Sequence, residues 1–429
     1  MTAGAAAKGR TAEQAEKVGF RDVFRVPEFR ALWAAQLTSV AGDQLARIAL
    51  TLLVYARTAS ALLAAVTFVA SIVPLFIGGV TLGGLADRFP RRAVMITCDL
   101  LRCALVLLMV VPKVPVAALV ALLFLATLIS APFSAARSAL IPDVLHGERF
   151  VLGQAIMLTT VQFAQVVGFA AGGAIAAFLG TRTSLLIDAV TFAVSALIVR
   201  LWVRARPAAR AEAAVAASGP SAGATSPAVA DSGFRAAVRL IITTPALLLP
   251  MLFGWLAAFY NAPEGVAAPL AASVGGGAAA LGIILAAQVL GETVGMLLFG
   301  RLVPSEARRR WMGPLAVAAC AVLTLFALHP SLDLALPVLF ASGLLGCYQI
   351  AAVAAFVSAV PARMRGAAYG IAQGGMSLGQ GVLMIAAGAA ADSRSPSDIV
   401  AVIGAIGAVC AVLVAISWAR PREESRPGC

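Results

Sequence analysis

Stretches of about 20 predominantly apolar residues recur along this chain, each long enough to cross a hydrocarbon core of roughly 30 Å as a helix. They lie near 31–56, 61–82, 93–111, 116–137, 152–178 and 184–203, and again near 246–268, 278–299, 312–328, 333–358, 367–391 and 398–419. In lipid a backbone segment must satisfy its own N–H and C=O groups, so runs of this length are helical. The series predicts an all-α membrane protein with twelve transmembrane helices in two pseudo-symmetric six-helix bundles. Composition agrees: 61% of the 429 residues are hydrophobic and 12% charged, against roughly 25% charged in a soluble domain. Most soluble enzymes are thereby excluded.

The net charge of +12 would point to nucleic acid in a soluble chain. Here, with both termini on one side, 26 of the 32 basic residues fall in the tails or in loops after even-numbered helices. Arg57, Lys113, Arg182 and Arg394 lie in the opposite loops, and Arg47 and Arg102 within helices. Lys and Arg in short loops are retained on the cytoplasmic side, so the pattern predicts a multi-pass protein of the cell membrane with both termini cytoplasmic. Topology accounts for the charge, and nucleic acid is not expected as a partner. The first apolar run carries Asp43, Gln44 and Arg47 and has no small-residue cleavage site behind it, so it reads as a first span and not as a signal peptide.

Residues 204–244 interrupt the series with Ala, Ser, Gly and Pro, the composition of a flexible cytoplasmic linker. The expected organisation is a disordered tail at 1–20, bundles at 21–203 and 245–420 with the linker between them, and a second tail at 421–429. The loop Gly83-Gly84-Leu85-Ala86-Asp87-Arg88-Phe89-Pro90-Arg91-Arg92 has a degenerate echo in Gly300-Arg301-Leu302 and Arg308-Arg309-Arg310, displaced by about half the chain. Six spans per half keep both halves in the same orientation, which is a parallel repeat.

That loop, a Gly, an Asp-Arg pair and then paired basic residues, resembles the motif between helices 2 and 3 of the major facilitator superfamily of secondary transporters, over about residues 20–420. Within it the chain is similar to twelve-helix drug and natural-product exporters of the enterobactin-exporter and macrolide-efflux type. The residues that carry this nearer likeness are Leu37-Thr38-Ser39-Val40-Ala41-Gly42-Asp43, Leu140-Ile141-Pro142-Asp143 and Ile187-Asp188-Ala189-Val190-Thr191-Phe192. Pro90 departs from the family's usual Gly. The helix-5 antiporter motif is reduced to Gly168-Phe169-Ala170-Ala171-Gly172-Gly173, which close helix packing alone also explains. The resemblance implies that Gly83, Asp87, Arg88, Arg91 and Arg92 latch the outward-facing state. A loop that only sets topology would need neither the Asp nor the Gly. Asp99 and Arg102, three residues apart in helix 3, read as partners of this gating loop.

Ionisable groups at membrane depth are expensive and so mark function. Five carboxylates qualify: Asp43, Asp99, Asp188, Glu264 and Glu292. Asp43, near the middle of helix 1, can carry a proton between the two sides, or it can form an i,i+4 pair with Arg47. Glu264, 221 residues later, occupies nearly the equivalent place in the second half, and Glu292 is a third candidate for coupling. Asp188, near the outer end of helix 6, reads as a structural hydrogen-bonding group. Amides at membrane depth, Gln36, Gln162, Gln165, Gln288, Gln349 and Gln373, stand on helices that carry cavity positions in the family. With Trp255, Tyr260, Asn261, Tyr348 and Phe356 they predict an apolar pocket with a few polar groups, although amides also glue helices together.

His146 and His329 are the only histidines, the six cysteines lack metal-ligand spacing, and no phosphate-binding loop with its Lys occurs. No metal, cofactor or enzymatic activity is expected. The reading is proton-coupled efflux of a small amphipathic drug-like or secondary-metabolite compound by alternating access, from a monomer in the lipid bilayer. A proton-symport importer and a non-transporting sensor or scaffold are the alternatives; the first predicts charge pairs in the cavity, the second an ordered soluble domain.

Overall fold

The computed structural model describes residues 19–206, 228–361 and 364–419. Among them eleven helices are long and apolar enough to cross a membrane. We label the spans α1 (Pro27–Thr58), α2 (Ala61–Leu82), α3 (Arg91–Val110), α4 (Val116–Val144), α5 and α6 (148–179 and 181–202), α7 (Pro245–Ser273), α8 (Gly277–Leu302), α9 (Glu306–Leu328), α10 (Leu332–Ala359), α11 (Arg365–Ala391) and α12 (Pro396–Ala419). α5 and α6 belong to one 55-residue helical run, Glu148–Trp202, bent at Gly180, where φ is 81° and ψ 165°. Only glycine adopts that conformation at little cost, so the run is two spans, which makes twelve among the described residues. It is a multi-pass membrane protein.

Local chemistry sets the helix ends. Pro27 starts α1, where a missing N–H costs nothing, and Ala59 closes it in the left-handed region, its N–H donating to Tyr55 O at 2.8 Å. Ser60 caps α2 by accepting from Leu63 N at 3.2 Å. Several spans are broken. α7 passes through a 3₁₀ turn, Ala262–Val266, and α10 through another at Gly346–Tyr348.

Two expected boundaries need correction. α4 continues past 137 to Val144, through Pro132 and Pro142, because Leu140 and Ile141 remain buried beyond the apolar run. The expected linker is partly ordered: Ala228–Thr243 is a helix. Ala237 and Ile241, four residues apart, are buried there, and Ile241 packs with Leu247, Met251, Phe356 and Val360. An Ala-rich composition hid this apolar stripe. Residues 207–227 of the linker, and the expected tails apart from 19 and 20, lie outside the described residues.

The six-helix halves meet along α5–α8 and α2–α11. Gly173 and Gly282 bring two backbones together so closely that a Cβ on Gly173 would sit 2.7 Å from Gly282 Cα. Gly388 of α11 approaches α2 similarly: a Cβ there would sit 2.9 Å from Ala61 O. Both contacts lie in the half of the membrane span away from the loop 83–92. Towards that loop the halves part.

Candidate functional site

The parting of the halves leaves a cavity of about 930 Å³. It is lined by the first half and middle of α1, the second halves of α4 and α8, and the first halves of α5 and α11. All of these are the ends nearest the loop 83–92, so the cavity belongs to the basic face. Gln36, Asp43, Arg47, Gln162, Gln165 and Gln373 line it as a group, together with Ser39, Arg102, Arg137 and Tyr369 and the apolar Leu158, Val161, Met296 and Leu297.

Asp43 pairs with Arg102 of α3, and no ion pair to Arg47 forms among the described residues. The Arg102 guanidinium is almost fully enclosed, at 2% side-chain exposure, whereas Asp43 keeps 38%. Arg102 Nη1 donates to Ser39 Oγ at 3.0 Å, stands 3.9 Å from Asp99 Oδ1, and the guanidinium lies over the Phe192 ring at 4.0 Å. Asp99 and Arg102 therefore face the interior of the first bundle, and among the described side chains neither pairs with the basic loop. A cation shared by two carboxylates inside a low-dielectric bundle is the arrangement that buried charge requires. Arg47 Nη2 donates to Ser71 O at 3.2 Å, and the guanidinium lies against the Phe68 and Phe169 rings. Behind Asp43 a space of about 90 Å³ is bounded by Arg47, Ser71, Thr127, Ser130 and Asp188. Asp188 is buried, and one of its carboxylate oxygens has no hydrogen-bond partner.

Other expected cavity residues lie elsewhere. Gln288 Nε2 donates to Tyr260 O at 2.6 Å and Asn261 Oδ1 at 2.9 Å. Gln349 Nε2 donates to Gly254 O at 3.0 Å, and Tyr348 OH to Phe253 O at 3.2 Å. These groups tie the broken backbone of α7 to α8 and α10 inside the second bundle; kinked helices free carbonyls that side chains then satisfy. Phe356 is buried against the Ala228–Thr243 helix. Trp255 donates to Ala372 O at 2.9 Å and lines a separate apolar groove of about 680 Å³ beside α11 and α12. Glu264, in the 3₁₀ turn of α7, and Glu292 of α8 lie outside the cavity lining.

At the basic face, Arg91 donates to Asp143 at 2.5 Å and to Ala139 O at 3.0 Å, and Arg92 to Arg200 O. Arg88 is exposed, Gly83 ends the α2 helix, and the Asp87 side chain lies outside what the structure describes. Glu28 accepts from both terminal nitrogens of Arg206, at 2.5 and 2.9 Å, and these bonds raise the proton affinity of that guanidinium above its ordinary value.

Two features escaped the sequence. Arg137 stands at the very edge of the expected fourth span, at 137, but α4 runs on to Val144 and carries it as a cavity residue. On the opposite face, Asp392 at the end of α11 caps α2, accepting from Ala61 N at 2.5 Å and Leu62 N at 3.3 Å. No sequence pattern pairs residues 331 apart.

Family comparison agrees with this architecture. The profile described as Major Facilitator Superfamily matches residues 32–265 and 260–428. The chain belongs to the major facilitator superfamily. It is thus a membrane transporter of that superfamily and not an enzyme. Among solved structures it is similar to a bacterial homologue of the human lysosomal transporter Spinster in an inward-facing, unoccupied conformation, with a TM-score of 0.66 and 15% identity over 92% of this chain and 98% of that one. A POT family transporter in complex with a thioalcohol-conjugated peptide aligns with a TM-score of 0.69 and 11% identity, covering 90% and 95%. Another, bound to 5-aminolevulinic acid, gives 0.67 and 12% over the same shares. At such identities the likeness is one of fold. No curated protein matches the chain.

Proposed function

We propose that this superfamily member exports a small amphipathic compound from the cytoplasm by proton-coupled alternating access. The observation that carries the reading is Asp43, a cavity-facing carboxylate held by a buried cation. Protonation of Asp43 from the cavity cancels its attraction to Arg102 and leaves that cation to Asp99. A change in cavity occupancy thereby becomes a change in the packing between α1 and α3. The cavity opens on the basic face, and the positive-inside rule assigns that face to the cytoplasm. A mainly apolar wall with several amides suits an amphipathic molecule better than a sugar or small ion.

The loop residues Gly83, Asp87, Arg88, Arg91 and Arg92 act in this scheme on the outward-facing state, whereas the Arg91–Asp143 pair already joins α3 and α4 in the cavity-open state. Glu264 and Glu292 are the second-bundle groups that sense protonation of the first.

The test is transport in everted vesicles, with the compound taken from a susceptibility panel in an efflux-deficient host. Asp43→Asn is expected to abolish substrate-driven proton movement. Proton movement at the wild-type level in that variant overturns the coupling, and accumulation driven from the opposite face overturns the direction.

A further inference from the structure

The charge on the cavity wall does not balance. Arg47, Arg102 and Arg137 line the cavity against one carboxylate, Asp43. Arg102 is committed to Asp43, and Arg47 donates to Ser71 O and lies against the Phe68 and Phe169 rings. Arg137 has no comparable partner. Its Nε and Nη1 are enclosed and make no hydrogen bond. Only Nη2 makes a long contact, 3.4 Å to Ser134 Oγ. No carboxylate among the described residues pairs with it, and the acid that follows on its own helix, Asp143, is engaged by Arg91 at 2.5 Å.

A guanidinium is charged at every physiological pH, and enclosing one without a counter-charge is costly unless a ligand supplies it. The unfilled donors of the guanidinium match the acceptor oxygens of a carboxylate, sulfonate or phosphate in charge-assisted N–H···O bonds. Around it the cavity offers Leu158, Val161, Met296 and Tyr369 for an apolar body. We infer that Arg137 is an anion-binding subsite, and that the transported compound is an amphipathic organic anion whose acidic group docks on Arg137 while its apolar part lies on α5, α8 and α11. This rests on reading the cavity as the transport site.

The probes are dansylglycine, with a free carboxylate, and dansylglycinamide, its neutral counterpart, titrated by fluorescence onto purified protein in dodecyl maltoside. Wild type is expected to bind the carboxylate about tenfold or more tightly than the amide, since a charge-assisted pair is lost in the amide. Arg137→Gln should bring the two affinities together, and Arg137→Lys should keep part of the preference. Equal binding of both probes by wild type, binding of neither, or a preference unchanged in Arg137→Gln overturns the subsite. The wild-type comparison decides even if a variant fails to fold. Displacement of dansylglycine by dihexanoylphosphatidylglycerol but not by octanoate assigns the site to a lipid headgroup and also overturns the inference. These titrations involve no transport: equal binding with intact export removes only the anion subsite, whereas anion-selective binding without proton-coupled export removes the transport reading.

Discussion

The Asp392 carboxylate accepts a hydrogen bond from the Ser60 hydroxyl at 3.0 Å and so joins the two bundles at the face opposite the cavity. Its other oxygen takes the free N–H groups at the start of α2. An acidic cap supplied by the neighbouring half satisfies donors that a helix start leaves unpaired. The bond exists only while that face is closed, so it stabilises the cavity-open state selectively. Asp392→Ala should cost this state about 0.5–2 kcal/mol, a shift of roughly 2- to 30-fold towards opening of that face. Spin-label distances between the starts of α2 and α12 would report it, and an unchanged distribution would refute the latch.

Closure of the same face also needs two glycines. A Cβ on Gly173 would meet Gly282 Cα at 2.7 Å and Ala278 O at 2.8 Å, both backbone atoms with no flexible end to move aside. Gly173→Val should therefore drive α5 and α8 apart and raise labelling of cysteines placed along that contact, while leaving the internal packing of each bundle intact. Unaltered labelling in a well-folded variant would mean that the helices slide without cost, contrary to the packing described.

The spans were legible because lipid imposes a length on every apolar run, and the charge pattern followed from the loops between them. The site was legible only in part. Asp43, Arg47, Gln36, Gln162, Gln165 and Gln373 face the cavity as depth and helix number implied. Tyr260, Gln288, Tyr348 and Gln349 do not, because an amide at membrane depth looks the same in sequence whether it points to a cavity or closes a broken turn. Arg102 is close to the loop in the chain, whereas its partner Asp43 is 59 residues away. Long-range pairing of this kind leaves no local pattern.

Arg102 is the cation on which the interior of the first bundle depends. Replacement by Met keeps much of the volume but leaves Asp43 and Asp99 without their shared counter-charge, and breaking a buried pair typically costs about 3–5 kcal/mol. Thermal melting in detergent should show a marked fall for Arg102→Met. Asp43→Asn in the same chain should recover part of it by removing one orphaned charge. An Arg102→Met variant as stable as wild type would show that the fold does not depend on this counter-charge.

Gln288 and Gln162 provide the sharpest contrast between an amide that holds the fold and one that faces the cavity. Gln288 donates to Tyr260 O and Asn261 Oδ1 where α7 is broken, so Gln288→Ala leaves an enclosed carbonyl unpaired, at about 1–3 kcal/mol. Gln162 lines the cavity on α5, and its truncation exposes no buried partner. Gln288→Ala should lower the melting temperature and leave the ranking of transported compounds as it is. Gln162→Ala should keep the melting temperature and change that ranking. Melting curves and a susceptibility panel run on both variants separate the two roles. If Gln288→Ala changes selectivity at full stability, the α7 break belongs to the binding surface and the cavity boundary drawn between the bundles must move.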